Sequence, residues 1–219
     1  MNFIKIKGLQ DNYPEGIEGT SEWYYCKIAE DPFCDLYEAE EIIKAGHTYK
    51  GMNCALIHFP DGTVYEPFTL QENVYVDAPV FLDGVLYFLV TDFNEKTIQI
   101  VAWGTETKQP EVVKELLLDE VENCYNLMLR VAPIMLIQEA NDDVLEIIYP
   151  EKKTIQLGEC ESMYFRNEDK LYCSAWYEDP EYHEKVIVRN YYTGEIEEIF
   201  DKQNMRRMPN GDVWMLGKA

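Results

Sequence analysis

Two adjacent arginines, Arg206 and Arg207, stand near the end of a chain that carries 41 acidic residues against 19 basic ones. A guanidinium presents its donors as a planar fork, so it recognises a carboxylate or phosphate through two parallel hydrogen bonds. Anion recognition is therefore the first chemistry on offer. The second belongs to flat rings: the chain has sixteen Tyr, nine Phe and four Trp, and "EWYYC", "AWYEDPEYHE" and "NYYTG" crowd several together. Such rings stack on sugar faces and anchor protein interfaces. Neighbours on a strand point to opposite faces, so at most half of each cluster can be exposed together. "YEDPEYHEK" is polar and reads as a loop, which makes Tyr177, Tyr182 and His183 candidates for exposed contacts. Other chemistries lack their spacing. There is no GxSxG elbow, no Cys–His pair at dyad spacing and no GxGxxG or GxxxxGK loop to cradle a phosphate. His47, His58 and His183 form no HxH or HExxH pattern, so neither a metal nor a cofactor is expected.

Composition narrows the partners. The net charge of -22 repels phosphate backbones and anionic membrane surfaces, so nucleic acid and membrane are excluded as partners. An apolar share of 47% is enough for an ordinary core. No apolar run approaches the roughly 20 residues that cross a bilayer. "MNFIKIKGLQDNYPEG" has neither the apolar stretch nor the cleavage site of a signal peptide. The sequence predicts a soluble, cytoplasmic monomer. Its six cysteines include no CxxC pair, and several sit within apolar runs, as buried free thiols do.

The elements that would position these residues are short β-prone runs divided by turns. "EWYYCKIA", "NCALIHF", "VLYFLV", "TIQIVAW", "VLEIIY", "LYCSAWY" and "KVIVRNYY" have the aromatic and β-branched content of strands. Asp61-Gly62, Asp83-Gly84, Thr193-Gly194 and Asn210-Gly211 supply tight turns. One segment departs from this pattern. "DLYEAEEIIKAGH" places Leu36, Ala39, Ile42 and Ile43 at helical spacing, with Asp35 as N-cap and Gly46 as stop. It predicts a single short helical insertion near 35–46 in an all-β protein.

"FLDGVLYFLV" returns as "RNEDKLYCSAW" and "RMPNGDVWML", each with a polar turn, an apolar residue, an aromatic and a β-prone run. A second hairpin follows: "ALIHFPDGTVYEPF", "LEIIYPEKKTIQL" and "VRNYYTGEIEEIF" share one layout. Four strands per repeat of roughly 40 residues resembles the β-propeller class, through repeat layout and not through a WD, kelch or Asp-box motif. The size is similar to five-bladed propellers such as the tachylectin type. The resemblance implies one propeller domain over 1–219, with five blades near 14–70, 74–118, 123–158, 162–200 and 203–219 plus 2–8. It further implies that Phe3–Lys7 pairs beside Val213–Leu216 and closes the last blade. A β-sandwich is the competing fold.

In a propeller the inner strands line the central channel. That places Tyr75, Asp77, Arg130, Tyr164, Arg166, Arg206 and Arg207 as candidates for a ligand at the channel or a face, or else as ion pairs across the ring. The expected function is a non-catalytic binding or scaffold protein for a protein partner or a small polar ligand. A carbohydrate-binding, lectin-like propeller is one alternative. A glycoside-acting enzyme with Asp77 and Glu18 as paired carboxylates is another.

Overall fold

Strand faces follow from alternation. In "ESMYFRN" Glu161, Met163 and Phe165 are buried while Ser162, Tyr164 and Arg166 are half-buried, the period of a pleated strand with one face on a core. The computed structural model describes residues 3–9, 13–30, 34–140, 142–179 and 181–217. They fall into two compact units that divide after Cys124.

The first unit contains β1 (Glu15–Gly16), β2 (Trp23–Ala29), α1 (Leu36–Lys44), β3 (Met52–His58), β4 (Thr63–Tyr65), β5 (Val74–Val76), β6 (Val80–Leu82), β7 (Val85–Asp92), β8 (Thr97–Gly104) and β9 (Pro110–Leu117). The strands make one sheet in the order β1-β2-β3-β5-β7-β8-β9, with β4 beside β3 and β6 beside β7. All pairs are antiparallel except β3 and β5, which meet in parallel at Met52 and Tyr75. Between β6 and β7 the turn residues Asp83 and Gly84 take φ of 50° and 80°. Two consecutive positive φ angles match the right-handed twist of the flanking strands, and Gly84 takes its angle without strain. Trp23, Leu56, Phe88, Val101 and Trp103 lie in the core beneath. Helix α1 starts at a capping box, in which the Asp35 carboxylate accepts the Glu38 N–H at 2.7 Å and the Glu38 carboxylate accepts the Asp35 N–H at 3.0 Å.

The second unit holds two four-stranded antiparallel meanders. One is β10 (Leu127–Arg130), β11 (Met135–Glu139), β12 (Val144–Tyr149) and β13 (Lys153–Gln156). The other is β14 (Glu161–Asn167), β15 (Lys170–Tyr177), β16 (His183–Asn190) and β17 (Ile196–Asp201). A two-stranded sheet follows, β18 (Gln203–Arg207) with β19 (Val213–Gly217). The first strands of the two meanders lie side by side: Val131 and Phe165 form a parallel bridge, and the Arg166 N–H donates to the Val131 carbonyl at 3.0 Å. Met135, Ile137, Leu145, Met163 and Leu171 fill the core between.

The all-β expectation holds, and so does the one short helix. The predicted closure by the N-terminal strand does not form. Residues 3–9 adopt no strand, and β19 pairs with β18 alone among the described residues. The reason is local. "FIKIK" alternates apolar and basic residues, and Ile4 and Ile6 settle against an apolar groove beside Tyr24, Phe59, Pro60 and Gly62. A Cβ on Gly62 would stand 3.0 Å from Ile4 Cγ2, so the glycine is what lets the segment approach. Phe3, without such a seat, is 88% exposed.

Candidate functional site

All five arginines of the chain lie in the second unit, and four of them stand on β10, β14 and β18. Two arginines are tied to neighbouring residues of β14, one by its side chain and one by its backbone. The Arg130 Nε donates to the Met163 carbonyl at 2.7 Å. Tyr164 is the extra residue of a bulge, since Met163 pairs with Cys173 and Phe165 with Tyr172. A bulge re-aims a side chain, and here the Tyr164 hydroxyl accepts the Arg207 backbone N–H at 3.0 Å. Arg130, Tyr164 and Arg207 come from β10, β14 and β18, and all three are half-buried.

The remaining inner-strand candidates go elsewhere. Arg166 lies flat over Tyr191, its Cζ 3.5 Å from the ring centroid, and its Nε donates to the Glu168 carbonyl at 2.7 Å. Arg206 is exposed while Arg207 is half-buried, because successive residues of β18 face opposite ways. In the first unit, Tyr75 is buried on β5 and stacks on Tyr49 with centroids 6.3 Å apart. Burial first, then the Asp77 charge, pushes its phenol far above the ordinary range. Asp77 follows β5, and its carboxylate accepts the Ala78 N–H at 2.7 Å.

Tyr177 and His183 do not lie in an exposed loop. Tyr177 ends β15, His183 opens β16, and the two pair across the hairpin. Their rings stack with centroids 5.3 Å apart, and Lys185 Nζ stands 4.8 Å from the Tyr177 centroid. The polar residues between them form the tip, where Tyr182 is 65% exposed and donates to Glu184 at 2.9 Å. The polarity of "EDPEYHE" marked the tip correctly but hid the strand ends.

Three arrangements escaped sequence reasoning. Glu161 and Arg189 form a buried two-pronged pair, with both N···O distances 2.7 Å. Each has a further partner: Glu161 accepts the Gly158 N–H at 2.8 Å, and Arg189 donates to the Gly194 carbonyl at 2.8 Å. Next, Lys108 lies over Trp23, Tyr65 and Trp103. Beside it His58 Nδ1 stands 2.8 Å from the Asp61 carboxylate. A pocket of about 420 Å³ also opens in the first unit, with Val74, Val76, Val90, Asp92, Glu95 and Glu115 among its lining residues. These residues are far apart in sequence, so no spacing announced them. Among the described residues no group of three or more His, Cys, Asp or Glu is placed to hold a metal ion, and no helix is long and apolar enough to cross a membrane. None of the six cysteines is in a disulfide; Cys160 is half-buried and the other five are buried.

No protein-family model matches the chain, and no curated protein matches it. Solved structures do. A Bacteroides ovatus protein assigned as a dipeptidyl aminopeptidase IV aligns over 93% of this chain and 36% of its own, at 10% identity and a TM-score of 0.47. A puromycin-hydrolysing peptidase of Mycobacterium tuberculosis aligns over 96% and 34%, at 13% identity and 0.46. Prolyl oligopeptidase B of Galerina marginata aligns over 89% and 29%, at 9% identity and 0.40. The chain thus spans about a third of the length of these proteins. The expectation of a non-catalytic binding or scaffold protein, with its lectin-like and glycoside-acting alternatives, is corrected on this finding, because the similar structures are peptidases. At these identities and TM-scores the likeness transfers neither a site nor an activity.

Proposed function

We propose that the chain is a peptidase-related β-domain, part of a peptide-hydrolysing system in which it holds a peptide by a carboxylate. The observation that carries this reading is the hold of β14 on two arginines, its Met163 carbonyl accepting from Arg130 Nε and its Tyr164 hydroxyl from the Arg207 backbone N–H. In a chain of net charge -22, arginines held at one strand are where an anionic group would be drawn. A peptide C-terminus is such a group. Peptide as the substrate class comes from the names of the similar structures and is part of the proposal. So is the finer architecture: one domain of five propeller-type blades near 14–70, 74–118, 123–158, 162–200 and 203–219. The side-by-side first strands of the two meanders support it.

Calorimetric titration with a short peptide bearing a free C-terminus, and with its C-terminal amide, tests the reading. The free acid is expected to bind about tenfold or more tightly than the amide, the difference a charge-assisted hydrogen bond makes. Arg130→Gln or Arg207→Gln should erase that preference without lowering the melting temperature. Failure of either peptide to bind, equal binding of both, or a preference that survives both substitutions would overturn it.

A further inference from the structure

Three rings of the first unit form a box. Trp23 comes from β2, Tyr65 from the end of β4 and Trp103 from the end of β8. Their centroids stand 5.2 Å apart for Trp23 and Trp103, 5.8 Å for Trp23 and Tyr65, and 5.5 Å for Tyr65 and Trp103. The interplanar angles of 80°, 53° and 61° keep the rings from lying flat on one another. What caps the three rings from one side is an ammonium. Lys108 Nζ lies 4.4 Å from the Trp23 centroid, 5.0 Å from that of Tyr65 and 5.1 Å from that of Trp103. All three distances fall inside the roughly 6 Å over which a ring face attracts a cation.

The box is built from the core outwards. Trp23 is 3% and Trp103 1% exposed, so both are fixed by packing, while Tyr65 is half-buried and forms the wall nearest solvent. Lys108 belongs to none of these strands. It sits in the turn between β8 and β9 with φ of 56°, a backbone state that a lysine adopts at a cost. That turn is tied down by the Thr105 hydroxyl, which donates to the Gly84 carbonyl at 2.6 Å, and by the Lys108 N–H, which donates to the Gly104 carbonyl at 2.9 Å. The ammonium itself donates to the Thr105 carbonyl. Burial draws Lys108 below the ordinary lysine range, and the nearby Asp61 charge opposes this. Three aromatic faces offer little to an ammonium that must give up hydrogen bonds to water. They suit one whose N–H groups are replaced by methyl groups, since its charge is spread and its desolvation costs less.

We propose that Trp23, Tyr65 and Trp103 form a binding site for a quaternary ammonium, and that Lys108 is the tethered occupant such a ligand displaces. The site is independent of the arginines held at β14, so either proposal can fail alone.

Titration of the full chain with tetramethylammonium chloride, followed by tryptophan fluorescence and amide NMR shifts, tests this. Lys108→Gly removes the occupant and suits the positive φ. The variant is expected to bind about tenfold more tightly than the parent, as follows if the lysine caps the box about nine-tenths of the time. Adding Tyr65→Ala should abolish that gain. A peptide carrying trimethyl-lysine separates the sources: tighter binding than tetramethylammonium assigns the ligand to a protein side chain, equal binding to a free small molecule. A folded Lys108→Gly chain that binds tetramethylammonium no better than the parent would sink the proposal, as would a gain that persists without Tyr65. Should Lys108→Gly melt early, Lys108→Asn tolerates the positive φ, is too short to cover the rings and answers the same question.

Discussion

Asp61 shows how much one residue can draw from its neighbours without burial. Its carboxylate takes a hydrogen bond from His58 first, then from the Thr63 hydroxyl at 2.9 Å and the Thr63 N–H at 3.2 Å. These donors hold its pKa down from 3.8 to about 2. The sign follows from linkage. A carboxylate lowered on folding stabilises the native state above its unfolded value, and that contribution is lost as pH falls through the folded one. The native Asp61 is therefore expected to titrate near pH 2 by carboxyl NMR, and closer to 3.8 in His58→Phe. A midpoint unchanged by the substitution would show that His58 is not the cause. The turn itself was legible, because Asp61-Gly62 is a turn dipeptide between strands. The His58 contact was not, since a lone histidine at a strand end carries no spacing signal.

Between elements, the Glu161–Arg189 pair joins β14 to β16 within one meander, across β15. Both side chains are buried and both have further hydrogen bonds, which is the condition under which a buried pair repays its desolvation. Arg189→Met would leave Glu161 charged and unpaired in the core. A loss of about 3–5 kcal/mol in denaturant unfolding is expected, and Glu161→Leu with Arg189→Met should recover most of it. Equal losses in the single and double variants would mean that lost packing, not an orphaned charge, sets the cost. Sequence reading reaches local features of this scale well. Asp35 and the apolar spacing of Leu36, Ala39, Ile42 and Ile43 announced α1, and the Asp83-Gly84 turn announced the β6–β7 hairpin. It misses what depends on pairing at a distance. The parallel contact of β3 with β5 and the bulge at Tyr164 arise from tertiary fit, and neither leaves a mark in the residues around it.

Over the whole molecule the governing quantity is charge. At -22 the folded chain repels itself, and compaction brings those charges together. The melting temperature is expected to rise by several degrees between about 10 mM and about 200 mM sodium chloride, as the screening length shortens from roughly 30 Å to roughly 7 Å. A flat salt response would place the acidic residues in compensated local pairs. The all-β character was legible at this scale because aromatic and β-branched runs alternate with turn dipeptides along most of the chain. The proposed ring closure was not. It required Phe3–Lys7 to choose β19 over every other apolar surface, and Ile4 and Ile6 found one at Phe59–Gly62. Chemistry was the least legible of all. The arginines held at β14, the box and the acidic pocket each draw residues from separate strands, and only the fold puts them together.

The lysine in its aromatic box carries a consequence for timing and abundance. A group held on a short turn competes at an effective concentration in the millimolar range or above, however weak its intrinsic affinity. Scarce cations would then leave the box shut. Only a ligand that is concentrated, or is itself delivered on a neighbouring chain, outcompetes Lys108, so the tether converts a permissive set of rings into a threshold.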